Sequence, residues 1–310
     1  MLAVTGIRRG TRVLVVALPV VTLLAVAVFA AGCSRLALVN ALVPRSDFVR
    51  ASAIEYGTEP RQKLDVYRPL GATAAPVVLF FYGGRWRSGE RGEFLFVAEA
   101  LTSLGVVVVI PDYRLAPEAV FPAFVEDGAR AVEWTYRHAG SYGGDPGRIY
   151  LMGHSAGAHI AALLALDRRY LDSLGVPNAA IAGMIGLAGP YDFLPFTGAD
   201  VRVAMGPPEG WPETQPVRFA RRGAPPLLLL HGGSDETVEP RNTTSLAAAE
   251  RAAGGCVRTA LYPKVGHVET LASLWTPLRS LAPVREDIAQ FIGEGCSLEE
   301  DRARERRPRP

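Results

Sequence analysis

The sequence predicts an α/β fold: a three-layer sandwich with a mostly parallel sheet, an antiparallel N-terminal edge and a small cap. Three observations carry this. Apolar runs of strand length recur along the chain as PVVLFFYGG, VVVVIPDYR, RIYLMG, AIAGMIGLAG and LLLLHGG. Segments of helical character lie between them, and buried strands alternating with helices mean a parallel sheet covered on both faces. The 32 glycines and 24 prolines in 310 residues suit many tight connections between short elements.

Taken in order, residues 1–33 stand apart. Arg8, Arg9 and Arg12 precede an uncharged apolar run over residues 13–31. A basic stretch followed by an apolar one is the pattern of a signal peptide or membrane anchor. The run closes in Ala30-Ala31-Gly32-Cys33, which resembles a bacterial lipobox with alanine at the usual leucine position. Cys33 is therefore a lipidation candidate. A lipoprotein, an uncleaved anchor and a secreted protein all remain open. Each exports the rest of the chain to the periplasmic side of a bacterial membrane, in the first two cases held there through the N-terminus.

Residues 34–50 read as a tether, and the main domain spans 51–298. SAIEYG and KLDVYRP alternate apolar and polar residues around Glu59-Pro60, which predicts an antiparallel strand pair. After the strand of residues 76–84, residues 93–104 can form a helix. Val125, Ala129, Val132 and Tyr136 give residues 124–139 helical spacing. Residues 156–166 are a strong helix former. Residues 190–225 are too long for a tight connection and make a candidate cap. A helix over 241–253, the strand VRTALYP and a closing helix over 284–292 complete the domain. From residue 299 the chain reads EEDRARERRPRP, a charged tail with nothing to anchor it to a core.

The 33 basic and 31 acidic residues leave a net charge of +2, which gives no reason to expect nucleic acid as a partner. No glycine-rich phosphate loop stands out, and no cofactor is expected. There are three cysteines. If Cys33 carries lipid, Cys256 and Cys296 remain as an even pair in an oxidising compartment, and a disulfide and two free thiols both stay open.

The informative motif is Gly153-His154-Ser155-Ala156-Gly157, at the junction of the strand RIYLM and the alanine-rich helix. Ser155 there is either a helix N-cap or the nucleophile of a strained strand-to-helix elbow. Ligands in open α/β sheets bind beyond the carboxyl ends of the strands, where Ser155 falls, which favours the elbow. A serine hydroxyl needs an adjacent base. Of five histidines, His138 reads as a helix-end residue, His154 as an elbow neighbour pointing away from Ser155, His159 as packed on the sheet and His231 as structural. His267, in PKVGHVET after the last strand, can reach Ser155 and is the expected base. The base needs an acid to orient it. Asp235 in HGGSDETV is the expected one, ahead of Glu236, Glu239 and Asp192; Asp145 reads as a turn residue. The N–H of Ala156 and those of Gly83 and Gly84 are the candidate oxyanion donors.

Four stretches together, FFYGGRWRSGE, PDYRLAPEAVFPAFVEDGARAVEW, GGDPGRIYLMGHSAGAHIA, and HGGSDETV with GHVET, resemble the esterase/lipase family of α/β-hydrolases. The resemblance covers residues 63–292 and is nearest the hormone-sensitive-lipase, feruloyl-esterase and kynurenine-formamidase-like carboxylesterases. It implies hydrolysis of a small-molecule carboxylic ester through an acyl-enzyme, without a metal. One departure is clear: where the family has histidine before its glycine pair, this chain has Tyr82, followed by Gly83-Gly84-Arg85-Trp86. Arg85, Trp86 and His154 are candidate pocket residues. An inward-pointing Arg85 would favour a substrate with a carboxylate or polar leaving group; the alternative is a salt bridge to the cap. Phe193, Phe196, Trp211 and Phe219 suggest a small-to-medium apolar acyl group. An arylformamidase or amidase on the same fold is the main rival, and a non-catalytic binding scaffold is the other.

Overall fold

The computed structural model describes residues 35–296. The basic-then-apolar segment, Cys33 and the arginine-rich tail lie outside the described residues. A first compact unit runs to Leu42 and contributes one described helix, α1 (Arg35–Ala41), so part of the expected tether is helical. Everything below concerns the second unit, from Val43 on.

The chain enters through β1 (Phe48–Glu55) and β2 (Lys63–Pro69). It continues as β3 (Ala75–Phe81), α2 (Leu95–Thr102), β4 (Val107–Pro111), α3 (Ala123–His138), β5 (Gly144–His154), α4 (Ala156–Leu166) and the short α5 (Arg168–Asp172). Then follow β6 (Ile181–Leu187), α6 (Ala199–Ala204), β7 (Leu227–Gly232), α7 (Arg241–Ala252), β8 (Val257–Tyr262), α8 (His267–Ala272) and α9 (Val284–Glu294). The eight strands form one sheet in the order β1-β2-β4-β3-β5-β6-β7-β8. β1, β2 and β4 pair antiparallel, and every pair from β4 through β8 is parallel. The antiparallel N-terminal edge is as expected. β1 begins at Phe48, inside the predicted tether, because Phe48 is buried against Tyr67 at a ring separation of 5.7 Å.

The strand pattern follows from sheet position. β4 and β7 are buried along their whole length, as the unbroken apolar runs require for strands covered on both faces. β1 is mostly exposed, as an edge strand can be, and a bulge falls between Ala51 and Ile54. The buried carboxylate of Asp65 ties this edge down, accepting from Ala53 N–H at 2.8 Å and Arg50 Nη2 at 2.7 Å.

Alternation along β5 separates the two faces. Gly153 faces α4, and an added Cβ there would lie 2.3 Å from the Gly157 carbonyl. Tyr150 faces the other side, against Phe291 of α9 at 6.0 Å. α3 closes on α4 at Gly128, where a Cβ would meet Ile160 at 2.9 Å. Cys256, just before β8, is joined to Cys296, just after α9, with a Cα–Cα distance of 6.1 Å. That contact settles the question composition left open: the two cysteines are a disulfide.

Candidate active site

β5 ends at His154 and α4 begins at Ala156, so the chain turns from strand to helix at a single residue. Ser155 carries that turn with φ 53°, in the left-handed region that costs energy for any residue with a Cβ. Its backbone N–H is held by the Leu187 carbonyl at 2.9 Å. The flanking glycines are needed for space. A Cβ on Gly157 would sit 2.0 Å from the Phe81 carbonyl oxygen. The Ser155 side chain makes no helix-cap bond, which removes the N-cap reading.

The hydroxyl instead lies 2.9 Å from His267 Nε2, and His267 Nδ1 lies 2.7 Å from Asp235 Oδ2. Because the carboxylate can only accept, the His267 proton sits on Nδ1 and Nε2 accepts from Ser155 O–H. His267 is the first residue of α8 rather than part of a loop. Asp235 Oδ1 accepts the N–H groups of Thr237 and Val238, each at 2.9 Å. Burial opposes ionisation of this carboxyl, but hydrogen bonds from His231, His267 and Val238 N–H outweigh it and hold it well below the usual carboxylate range.

The rival residues are engaged elsewhere. Asp192 accepts from Ser245 Oγ at 2.5 Å, Glu236 is exposed, and Glu239 pairs with Arg241 at 2.6 Å. Asp145 closes a turn onto Gly147 N–H. His138 is exposed, with Nδ1 2.8 Å from the Trp134 carbonyl. His159 is fully buried, and burial pushes its pKa down to about 4.

The loop after β3 runs beside the nucleophile: a Cβ on Gly83 would lie 3.1 Å from Ser155 Cβ. Gly84 has φ 132°, and Arg85 and Trp86 have φ 56° and 58°, so three consecutive residues hold positive φ. Tyr82 anchors the loop where the family places histidine. Its hydroxyl donates to Asp112 Oδ1 at 2.9 Å and accepts from Arg61 Nη2 at 2.9 Å. Tyr113 O–H donates to the Tyr82 carbonyl at 2.7 Å, and the Tyr82 ring stacks on Phe94 and Tyr113. Arg61 and Asp112 were not legible as site residues, since neither lies near the motif in sequence.

A cavity of about 220 Å³ opens beside Ser155, with Trp86, Phe193, Phe196, Val201 and Val238 among its walls. Residues between 190 and 201, at the front of the candidate cap, supply one wall. Arg85 reaches the cavity but is not free: its guanidinium grips Asp200 of α6 at 2.5 and 2.8 Å. The Arg85 hydrogen bonds pull the Asp200 pKa down to about 2. Trp211 and Phe219 stand back from the cavity, Trp211 packing on Phe196 at 4.9 Å and Phe219 lying under Arg169.

His154 is a correction. It does not line the cavity; it lies behind the histidine of the site, its Nε2 3.1 Å from the His267 carbonyl and its ring 4.8 Å from the His267 ring. Burial and the neighbouring His267 push its pKa down to about 3. Among the described residues, no cluster of His, Cys, Asp and Glu is arranged to hold a metal ion.

The sheet order, the elbow and the serine, aspartate and histidine in that chain order define an α/β-hydrolase of the esterase/lipase class. More particularly, the chain belongs to the BD-FAE family, whose model matches residues 64–249. Among relatives, it is 29% identical over 271 residues to a probable isoprenylcysteine alpha-carbonyl methylesterase of Arabidopsis thaliana, covering 80% of this chain and 56% of that one. It is 30% identical over 225 residues to esterase LipC of Mycobacterium tuberculosis, covering 66% of this chain and 56% of that one. The chain thus spans little more than half the length of these two relatives. A truncated carbohydrate esterase from gut microbiota has the same fold at a TM-score of 0.71 and 19% identity, covering 81% of this chain and 98% of that one.

Proposed function

We propose that this protein is a serine hydrolase that cleaves carboxylic esters with small-to-medium, uncharged acyl groups. The observation that carries the reading is the relay from Ser155 Oγ to His267 Nε2 at 2.9 Å and from His267 Nδ1 to Asp235 Oδ2 at 2.7 Å. Ser155 Oγ attacks the carbonyl carbon while its proton passes to His267 Nε2. Ionised Asp235 steadies the imidazolium that forms. The N–H of Ala156 and those of Gly83 and Gly84 receive the oxyanion; the first N–H groups of a helix have no partner within it, so Ala156 is open to that role. The alkoxide leaves with the proton from His267, and water, activated by the same ring, hydrolyses the acyl-enzyme. Relatives named as esterases, and a cavity whose two cations are each paired to a carboxylate, support an uncharged ester as substrate.

Labelling with a fluorophosphonate tests the nucleophile. Wild type becomes labelled; Ser155→Ala does not, and loses turnover by about 10³-fold or more with its fold intact. Persistent labelling of Ser155→Ala ends the proposal. Rates on p-nitrophenyl esters from acetyl to decanoyl, beside N-formyl-kynurenine, separate an esterase from a formamidase.

We also place the protein outside the inner membrane, held there through its N-terminus. The basic-then-apolar pattern ending in Cys33 supports this, as does a Cys256–Cys296 disulfide, a bond that persists in oxidising compartments. Loss of membrane association in Cys33→Ser with export retained supports lipidation. Full-length chain recovered free in the cytoplasm overturns the placement.

A further inference from the structure

His231 is the penultimate residue of β7, is fully buried, and is not among the residues lining the cavity beside Ser155. Both of its ring nitrogens are nonetheless engaged. Nδ1 lies 2.8 Å from Thr243 Oγ1. Nε2 lies 2.8 Å from the Val238 carbonyl oxygen and 3.1 Å from Asp235 Oδ2. Both neighbours of Nε2 can only accept, so the ring proton sits there and is shared between them, while Nδ1 accepts from the Thr243 hydroxyl.

Asp235 therefore faces two imidazoles with one oxygen. Oδ1 is clamped by the Thr237 and Val238 N–H groups of its own loop. Oδ2 meets His267 from α8 and His231 from β7. His231 also holds the Val238 carbonyl, so it braces the turn that carries those two N–H donors. The loop alone fixes one oxygen; the strand fixes the other, the one that faces His267.

We propose that His231 is a positioning residue for the acid of the triad, setting where Asp235 Oδ2 stands and hence how His267 is aimed at Ser155. The inference rests on the triad reading above. The imidazolium exists only once Ser155 has given up its proton, so an ill-placed Oδ2 weakens the transition state and not substrate binding. The effect belongs in kcat and leaves KM alone.

The test is a double-mutant cycle in the full chain with p-nitrophenyl acetate, using wild type, His231→Leu, Asp235→Asn and the double variant. His231→Leu lowers kcat about tenfold, the worth of one hydrogen bond to a charged group, with KM within about twofold. In the Asp235→Asn background the same change costs less than about twofold, because its route to the reaction is already gone. His231→Gln, which keeps an N–H at similar reach, recovers most of the lost kcat. Thr243→Val removes the hydroxyl that orients the ring, follows the same pattern more weakly, and serves where His231→Leu fails to fold. An equal loss of kcat in both backgrounds, or an unchanged kcat in a folded His231→Leu or Thr243→Val, overturns the proposal. Fluorophosphonate labelling keeps the two readings apart. If Ser155→Ala is still labelled, the triad itself is wrong; if labelling is lost as expected and the cycle is additive, His231 alone is wrong.

Discussion

Ser155 and Asp235 owe their roles to what neighbouring residues deny and supply. Gly153 and Gly157 deny a side chain to the space around the elbow, while His231, His267 and the Val238 N–H supply the hydrogen bonds that keep Asp235 ionised. Asp235→Asn should lower kcat by about 10³-fold or more, because the amide presents a donor or a weaker acceptor to His267 Nδ1 and misorients the ring. Asp192→Asn should leave kcat near wild type, since Asp192 is bonded to Ser245. Steady-state rates on one ester decide between them; a crippled Asp192→Asn beside an active Asp235→Asn would reverse the assignment. Both carboxylates follow apolar strands, Asp192 after β6 and Asp235 after β7, so sequence alone could rank them but not choose by contact.

At the scale of elements, two packing relations carry consequences. The first is α4 against β3. A Cβ at residue 157 would lie 2.0 Å from a backbone oxygen, which cannot rotate away as a side chain could. Gly157→Ala should cost about 3 kcal/mol, the upper range for overpacking, and lower activity by moving the elbow. Urea denaturation reads the first effect, and a midpoint unchanged from wild type would show that β3 yields. The second is the Arg85–Asp200 pair, which ties the loop after β3 to α6. Arg85 is about half exposed, so the pair adds little stability. Its consequence is charge: Asp200 cancels Arg85. Asp200→Asn should release the guanidinium and raise kcat/KM for an ester with a terminal carboxylate relative to its neutral counterpart, an advantage that falls with added salt. An unchanged ratio would mean that Arg85 does not reach the bound substrate.

For the molecule as a whole, acid is the expected weakness. The buried rings of His154 and His159 protonate at about 3 and about 4 in the folded chain, against about 6.5 for a free histidine. Protons therefore favour the unfolded chain between these values: stability is full above about 6.5 and falls as the pH drops towards 4. Two such groups give a slope of at most about 2.7 kcal/mol per pH unit. Glu250, whose pKa burial raises, opposes part of this. Urea midpoints at pH 7 and pH 5 check the sign; equal midpoints would count against it. The Cys256–Cys296 bridge closes a separation of 40 residues, so its reduction should cost about 4 kcal/mol on the chain-entropy estimate. Thermal unfolding with and without reductant measures that.

The sequence by itself determined what depends on local pattern. Apolar runs of strand length, helical spacing and the glycines around Ser155 were enough for the order of elements and the parallel sheet. The order Ser155, Asp235, His267 was enough for the expected relay. These are legible because strand and helix periodicity, and the turn from β5 into α4, are written in residues close along the chain. Only the tertiary structure decided which groups meet across elements. It paired Cys256 with Cys296, neutralised Arg85 with Asp200 and moved His154 behind His267. It set Tyr82 on Asp112 and Arg61, and brought His231 to the far side of Asp235. Except for His231 and Asp235, four residues apart, these contacts join residues far apart in the chain. The contacts around the site follow from how β-strands line up at their carboxyl ends, and the disulfide from how α9 packs back beside the start of β8, packing outcomes of the whole sheet.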